Sequence, residues 1–106
     1  MKSLPEIIIE GRKIGPGHAP FVIPEIGINH GGSLKIAIKM ADAAIDAGAE
    51  IIKHQTHIIE DEMSLEARKI KPGNSSCSIY SIMRKCALSE TDEWELMQHV
   101  KRRGVS

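Results

Sequence analysis

Ser33 and Gly48 bracket a run whose apolar side chains recur with a helical period, and extended segments lie on both sides of it. Leu34, Ala37, Ile38, Ala41, Ala44 and Ile45 form one stripe, with Lys35, Lys39, Asp42 and Asp46 largely off it. Ser33 suits an N-cap and Gly48 the position just past a helix end. Phe21–Ile26 before the helix and Ala49–Thr56 after it read as strands. Pro24 donates no ladder hydrogen bond and is tolerable only near a strand end. The spacing therefore predicts a strand, a helix over about Ser33–Ala47 and a second strand within residues 21–56. With such short loops this is a βαβ unit, its strands parallel and its crossover right-handed.

The flanks are simpler. Ile7–Ile9 and the stretch around Lys13-Ile14 enclose Glu10-Gly11-Arg12, which predicts a short β-hairpin with Gly11 at positive φ. Gly15–Pro20 is a connecting loop. After Thr56 comes a long charged excursion, Glu60-Asp61-Glu62 and then Arg68-Lys69-Ile70-Lys71, with a helical turn expected near Met63–Ala67. Pro72–Ser76 is a turn and Ile79–Cys86 a short helix. Ser89, with Asp92 at the capping-box position, starts a firmer helix that Gly104 closes. Val105-Ser106 reads as the opening of a third strand. The expected organisation is a hairpin and loop over 1–20 and a partial α/β domain over 21–106.

Composition narrows the function classes. Fourteen Lys+Arg balance fourteen Asp+Glu in 106 residues, which gives no reason to expect nucleic acid or an anionic membrane as partner. No apolar run exceeds three residues, so no transmembrane helix is expected. Residues 1–6 lack the apolar stretch of a secretory signal, and Cys77 and Cys86 fit no disulfide framework or zinc spacing. The expectation is a cytoplasmic chain with reduced thiols. Aromatic residues are scarce while Ile and Ala are abundant, as in layered α/β packing.

In parallel α/β architecture the chemistry gathers at the C-terminal ends of strands. Alternation puts Phe21, Ile23 and Glu25 on one face, and Ile51, Lys53 and Gln55 on one face. A carboxylate, an ammonium and an amide therefore converge on one rim. One reading is an ion pair between Glu25 and Lys53 across neighbouring strands. The other is a site in which Lys53 faces a phosphate or carboxylate and Gln55 a hydroxyl; the two are compatible. Asn29–Ser33 opens a helix, where free N–H groups suit an anion, though the local sequence favours an ordinary flexible loop with a cap. It is neither a P-loop nor a dinucleotide fingerprint. His54 and His57 have a zinc-like spacing, but across a strand end an offset of three points to opposite faces, and His54 is expected to pack outward under a helix. His99 is expected on a polar helix surface and Cys86 as an inert core thiol.

Several stretches taken together resemble the N-terminal part of bacterial sialic acid (N-acetylneuraminate) synthases. They are Pro24–Ser33, Asp42-Ala43-Ala44, Ala47–Glu50, Lys53–His57, Glu60–Ser64, Pro72-Gly73-Asn74, Ser78-Ile79-Tyr80 and Cys86-Ala87-Leu88. The resemblance implies an α/β fold: an N-terminal hairpin plus the first βα units of a (β/α)8 TIM barrel, incomplete in this chain, with the hairpin capping the barrel's bottom. It implies an aldol-type condensation of phosphoenolpyruvate with N-acetylmannosamine that releases phosphate, by a full-length protein expected to be a cytoplasmic homodimer. Lys53 resembles a phosphoenolpyruvate ligand, Gln55 and Asn74 resemble contacts to the amino sugar, and Glu25 resembles the acidic residue that binds the sugar or handles a proton. A divalent metal, Mn2+ or Mg2+, is implied with its ligands beyond Ser106 and none in this chain, so this portion alone is expected to be inactive. The excursion after the second strand favours the N-acetylneuraminate branch over the legionaminic and pseudaminic acid synthases. Those synthases, and a non-enzymatic truncated βαβ module, are the alternatives.

Overall fold

The computed structural model describes residues 2–106; Met1, the first residue of the expected 1–20 segment, lies outside the described residues. β1 (Ile7–Ile9) and β2 (Arg12–Ile14) pair antiparallel as the expected hairpin. Its turn holds Glu10 at φ 47° and Gly11 at φ 82°, the left-handed pair that matches strand twist in a two-residue hairpin.

β3 (Glu25–Gly27), α1 (Leu34–Asp46) and β4 (Lys53–His54) build the βαβ unit. The strands are parallel, as predicted, with Glu25 opposite Lys53 and Gly27 opposite His54 across a bulge. Both are much shorter than Phe21–Ile26 and Ala49–Thr56 suggested. Pro20 and Pro24 bring no N–H to a ladder, and Gly27 leaves the extended region at φ 52°. Single bonds still continue the pairing. Lys53 N–H donates to the Pro24 carbonyl at 2.8 Å, and Ile52 N–H to the Ser106 carbonyl at 2.7 Å. Val105-Ser106 is not a strand, yet it takes the edge of β4 away from β3, where a third strand was expected.

Helix α1 has the predicted bounds. The Ser33 hydroxyl accepts from Ile36 N–H, and Gly48 follows the Ala47 cap. Ala37 and Ala41 are fully buried, so short side chains bring α1 close to its neighbours. The excursion differs from expectation. Helix α2 covers Ile59–Glu62 and a separate 3-10 turn covers Ala67–Lys69, with Met63 extended between them. Buried Ile59 anchors α2, the Glu62 carboxylate accepts from Ile58 N–H at 2.9 Å, and the Ser64 hydroxyl caps the second turn at Ala67. Arg68 then organises the segment, 3.2 Å from Glu60 and stacked over Tyr80, whose hydroxyl also bonds Glu60.

Helices α3 (Ile79–Cys86) and α4 (Glu90–Arg102) follow, capped by Ser78 and Ser89. The core joins Ile26 of β3, Ala37 and Ala41 of α1, Leu88, and Leu96 and Val100 of α4. The α1–α4 seam is also pinned by charge. Asp42 lies 2.7 Å from both His99 Nε2 and Arg103 Nη1, and Asp46 lies 2.7 Å from Arg103 Nη2. His99, expected on a polar helix surface, is thus a cross-helix link. The hairpin attaches at the N-terminal side of β4, where Arg12 meets Glu50 at 3.0 Å and stacks on Phe21. A closed barrel is not present among the described residues, and none of their helices is long and apolar enough to cross a membrane.

Candidate functional site

Parallel pairing of β3 and β4 brings Glu25 and Lys53 side by side, with Lys53 Nζ 2.9 Å from Glu25 Oε2. Both side chains remain open to solvent, 40% for Glu25 and 55% for Lys53, so the pair is a rim feature and not a buried one. Gly27 forms the floor beside it. A Cβ placed there would stand 3.6 Å from Asn29 Nδ2 and Gln55 Oε1 and 3.7 Å from Glu25 Oε1. The absent side chain at Gly27 therefore leaves one small space bordered by a carboxylate and two amides. Glu25, Lys53 and Gln55 gather as alternation predicts. Asn29, which the strand pattern did not single out, joins them because its amide donates to the Ile26 carbonyl at 3.1 Å. Asn74 is not gathered in. It lies exposed in the Pro72–Ser75 turn, and no hydrogen bond among the described residues ties it to this rim.

The loop from Gly27 to Ser33 is held from within. His30 is only 2% exposed, and its Nδ1 accepts from Gly32 N–H at 3.1 Å. Burial, and then the neighbouring His54, hold the His30 imidazole below the ordinary histidine value, so the ring is neutral near pH 7. Gly32, at φ 83°, leaves no room for a side chain, because a Cβ would overlap the Lys85 carbonyl oxygen at the end of α3. Asn29–Ser33 is thus a packed turn, where the local sequence favoured an ordinary flexible loop with a cap. The signal was a histidine directly followed by two glycines, which allows close backbone approach over a ring.

His54 and His57 take different partners. His54 Nε2 lies 3.2 Å from Glu93 of α4, which also accepts from the Thr56 hydroxyl at 2.8 Å. His57 Nδ1 lies 2.9 Å from Glu62. His54 packs under a helix, as expected. Among the described residues no three His, Cys, Asp or Glu side chains gather to hold a metal ion. The donor set needed for a divalent cation does not fit the residues here. Cys77 is exposed and Cys86 half-buried, and both are free thiols.

The N,N'-diacetyllegionaminic acid synthase of Campylobacter jejuni is 29% identical over 89 residues, 80% of this chain and 27% of that protein. The N-acetylneuraminate-9-phosphate synthase of Homo sapiens is 39% identical over 57 residues, 54% of this chain and 16% of that protein. The crystal structure of N-acetylneuraminic acid synthetase from Leptospira borgpetersenii superposes with a TM-score of 0.77 at 25% identity, covering 96% of this chain and 32% of that one. The chain therefore spans a minor share of the length of each protein it matches. Residues 40–106 match the NeuB family profile, from the second half of α1 through α4. That is well over half of the sequence, and the chain belongs to the NeuB family.

Proposed function

We propose that this chain supplies the β3–β4 rim of a nonulosonic acid synthase active site. The reaction is the condensation of phosphoenolpyruvate with N-acetylmannosamine, with release of phosphate. The observation that carries the reading is the Glu25–Lys53 pair beside Gln55, on two adjacent parallel strands in a NeuB-family chain. Lys53 binds the phosphate or carboxylate of phosphoenolpyruvate. Glu25 occupies the ammonium while the site is empty, and the incoming anion competes with it, freeing the Glu25 carboxylate to accept a hydroxyl hydrogen bond or a proton from the sugar. Gln55 suits sugar hydroxyls, since a neutral amide both donates and accepts. Asn74 reaches the amino sugar only if the Pro72–Ser75 turn closes toward the rim. A divalent cation, Mn2+ or Mg2+, would supply electrophilic activation of the aldehyde; its ligands belong elsewhere in the intact protein, which acts as a homodimer in the cytoplasm.

A legionaminic acid synthase is the second reading, favoured by one observation. The Campylobacter match extends over 80% of the chain, against 54% for the human synthase. The test is phosphate release by the intact protein from phosphoenolpyruvate plus either N-acetylmannosamine or a diacetamido-trideoxyhexose. Turnover with the first supports the main reading, turnover with the second alone supports the alternative, and turnover with neither removes both.

A further inference from the structure

His30 is the largest fully buried side chain among the described residues, and no step of the proposed chemistry uses it. One of its nitrogens is committed, because Gly32 N–H donates to Nδ1. A neutral imidazole that accepts at Nδ1 carries its proton on Nε2. That Nε2 is buried with no bonded partner, and so is Nδ1 of His54. The two rings lie with centroids 5.6 Å apart and tilted by 34°. Two imidazoles joined end to end by an N–H···N bond have centroids roughly 5 Å apart, given the usual donor–acceptor distance. His54 Nε2 faces the Glu93 carboxylate, so His54 in its matching neutral form presents Nδ1 as an acceptor. The orphaned groups are therefore one donor and one acceptor on adjacent rings. The groups facing His30 act in both directions: burial and His54 of β4 disfavour a charged ring and prevail, while the Gly27 backbone and Glu93 of α4 favour it.

We infer that His30 is a positioning residue for the rim: its Nδ1 locks Gly32, its Nε2–H faces β4, and the ring thereby holds the β3–α1 loop in register with Lys53 and Gln55. The loop carries Gly27 and Asn29, two of the groups that shape the rim. A proton added to Nδ1 would displace the Gly32 bond and place a cation beside His54, so the loop's geometry depends on the ring staying neutral. The importance of the rim rests on the proposed synthase function, whereas the state of the imidazole does not.

The test uses the intact protein and needs no turnover. Nitrogen-15 spectra of the histidine rings are expected to show His30 as the Nε2–H tautomer, still neutral below pH 6.5, the ordinary histidine value. A proton on Nδ1, or titration at or above that value, overturns the assignment. His30→Asn keeps an acceptor for Gly32, while His30→Phe fills the space without one. Amide exchange at Gly32 is expected to rise at least about tenfold in His30→Phe and to return near wild type in His30→Asn. The Asn29 and Gln55 side-chain amide signals are expected to move in the first variant and stay in the second. Equal behaviour of the two variants overturns the positioning role. Failure of synthase turnover would remove the proposed function and leave these spectra unchanged.

Discussion

Lys53 Nζ and Glu25 Oε2 stand 2.9 Å apart where β3 and β4 pair in register, two side chains of opposite charge on neighbouring parallel strands. The pair is open to water, and an exposed ion pair contributes about 0–1 kcal/mol to stability. Fold and binding are therefore separable at this position.

Lys53→Ala in the intact protein is expected to fold with a nearly unchanged melting temperature. Its affinity for phosphoenolpyruvate should fall by about 2–5 kcal/mol, at least roughly thirtyfold, because a charge-assisted contact is lost. Gln55→Ala should raise KM for the sugar more than for phosphoenolpyruvate. Calorimetric titration of each variant decides this, and a folded Lys53→Ala with wild-type phosphoenolpyruvate affinity sinks the assignment.

Gly31 and Gly32 should respond oppositely to substitution. Gly31 sits at φ 61° with open space around it, a conformation that asparagine tolerates. Gly31→Asn is expected to cost less than about 1 kcal/mol. Gly32→Ala combines a left-handed backbone with overlap on the Lys85 carbonyl, and is expected to cost at least about 2 kcal/mol. Denaturant midpoints of the two variants of the intact protein, measured side by side, check the ranking.

Ser89→Ala removes the hydroxyl that accepts from Asp92 N–H at 3.1 Å. Loss of such a cap costs about 1 kcal/mol. A chemical denaturation curve should show that loss with an unchanged slope, and no loss would mean that the N-terminal turn of α4 is held by packing alone.

Stability should fall on the acid side in two stages. His30 has a lowered folded value, so the unfolded chain binds a proton first, and stability declines as pH drops below 6.5 until the folded ring also titrates. Asp42 is held low first by the His99 hydrogen bond, with Arg103 adding to it. Its contribution is present above the ordinary aspartate value of 3.8 and is lost as pH falls through the lower folded value. His30→Asn should abolish the first stage alone, and Asp42→Asn should blunt the second. Melting temperatures across the acid range, for wild type and both variants, read the two stages separately.

The 106-residue chain by itself should lack a sharp melting transition and bind apolar dyes. Ile7, Ile8, Val22, Ile58, Leu65, Ile70 and Trp94 are all exposed. The Cα radius of gyration is 17.5 Å, against about 13 Å for a compact domain of this length. A cooperative thermal unfolding of the isolated monomer would contradict this.

Local patterns made much of the molecule legible. The α1 stripe with Ser33 and Gly48, the Glu10-Gly11 turn, the Ile79–Cys86 helix and the convergence of Glu25, Lys53 and Gln55 all follow from periodicity and turn chemistry. What escaped was set by contacts between distant segments. His99 and Asp42 are separated by β4, α2, the 3-10 turn and α3, and nothing in either neighbourhood announces their pairing. The close approach of the end of α3 to Gly32, and of His54 to the buried His30 ring, is likewise a contact between distant segments. The short strands reflect hydrogen bonds that prolines could not donate, a loss partly hidden by the apolar run at residues 21–23. In the excursion Ser64 caps a turn over Ala67–Lys69, just past the Met63–Ala67 stretch where a helical turn was expected.

The single bond from Ile52 N–H to the Ser106 carbonyl carries a consequence for the order of assembly. On its β3 side β4 closes over a short stretch of chain, because only α1 separates the two strands. On its other side it waits for a partner that the chain delivers only after the excursion, α3 and α4. Loop closure over longer stretches is entropically dearer and slower. During synthesis the β3–α1–β4 unit is therefore expected to form early, with one flank of β4 unsatisfied until Val105 and Ser106 arrive. That interval is when a stray strand from another chain could take the vacant flank.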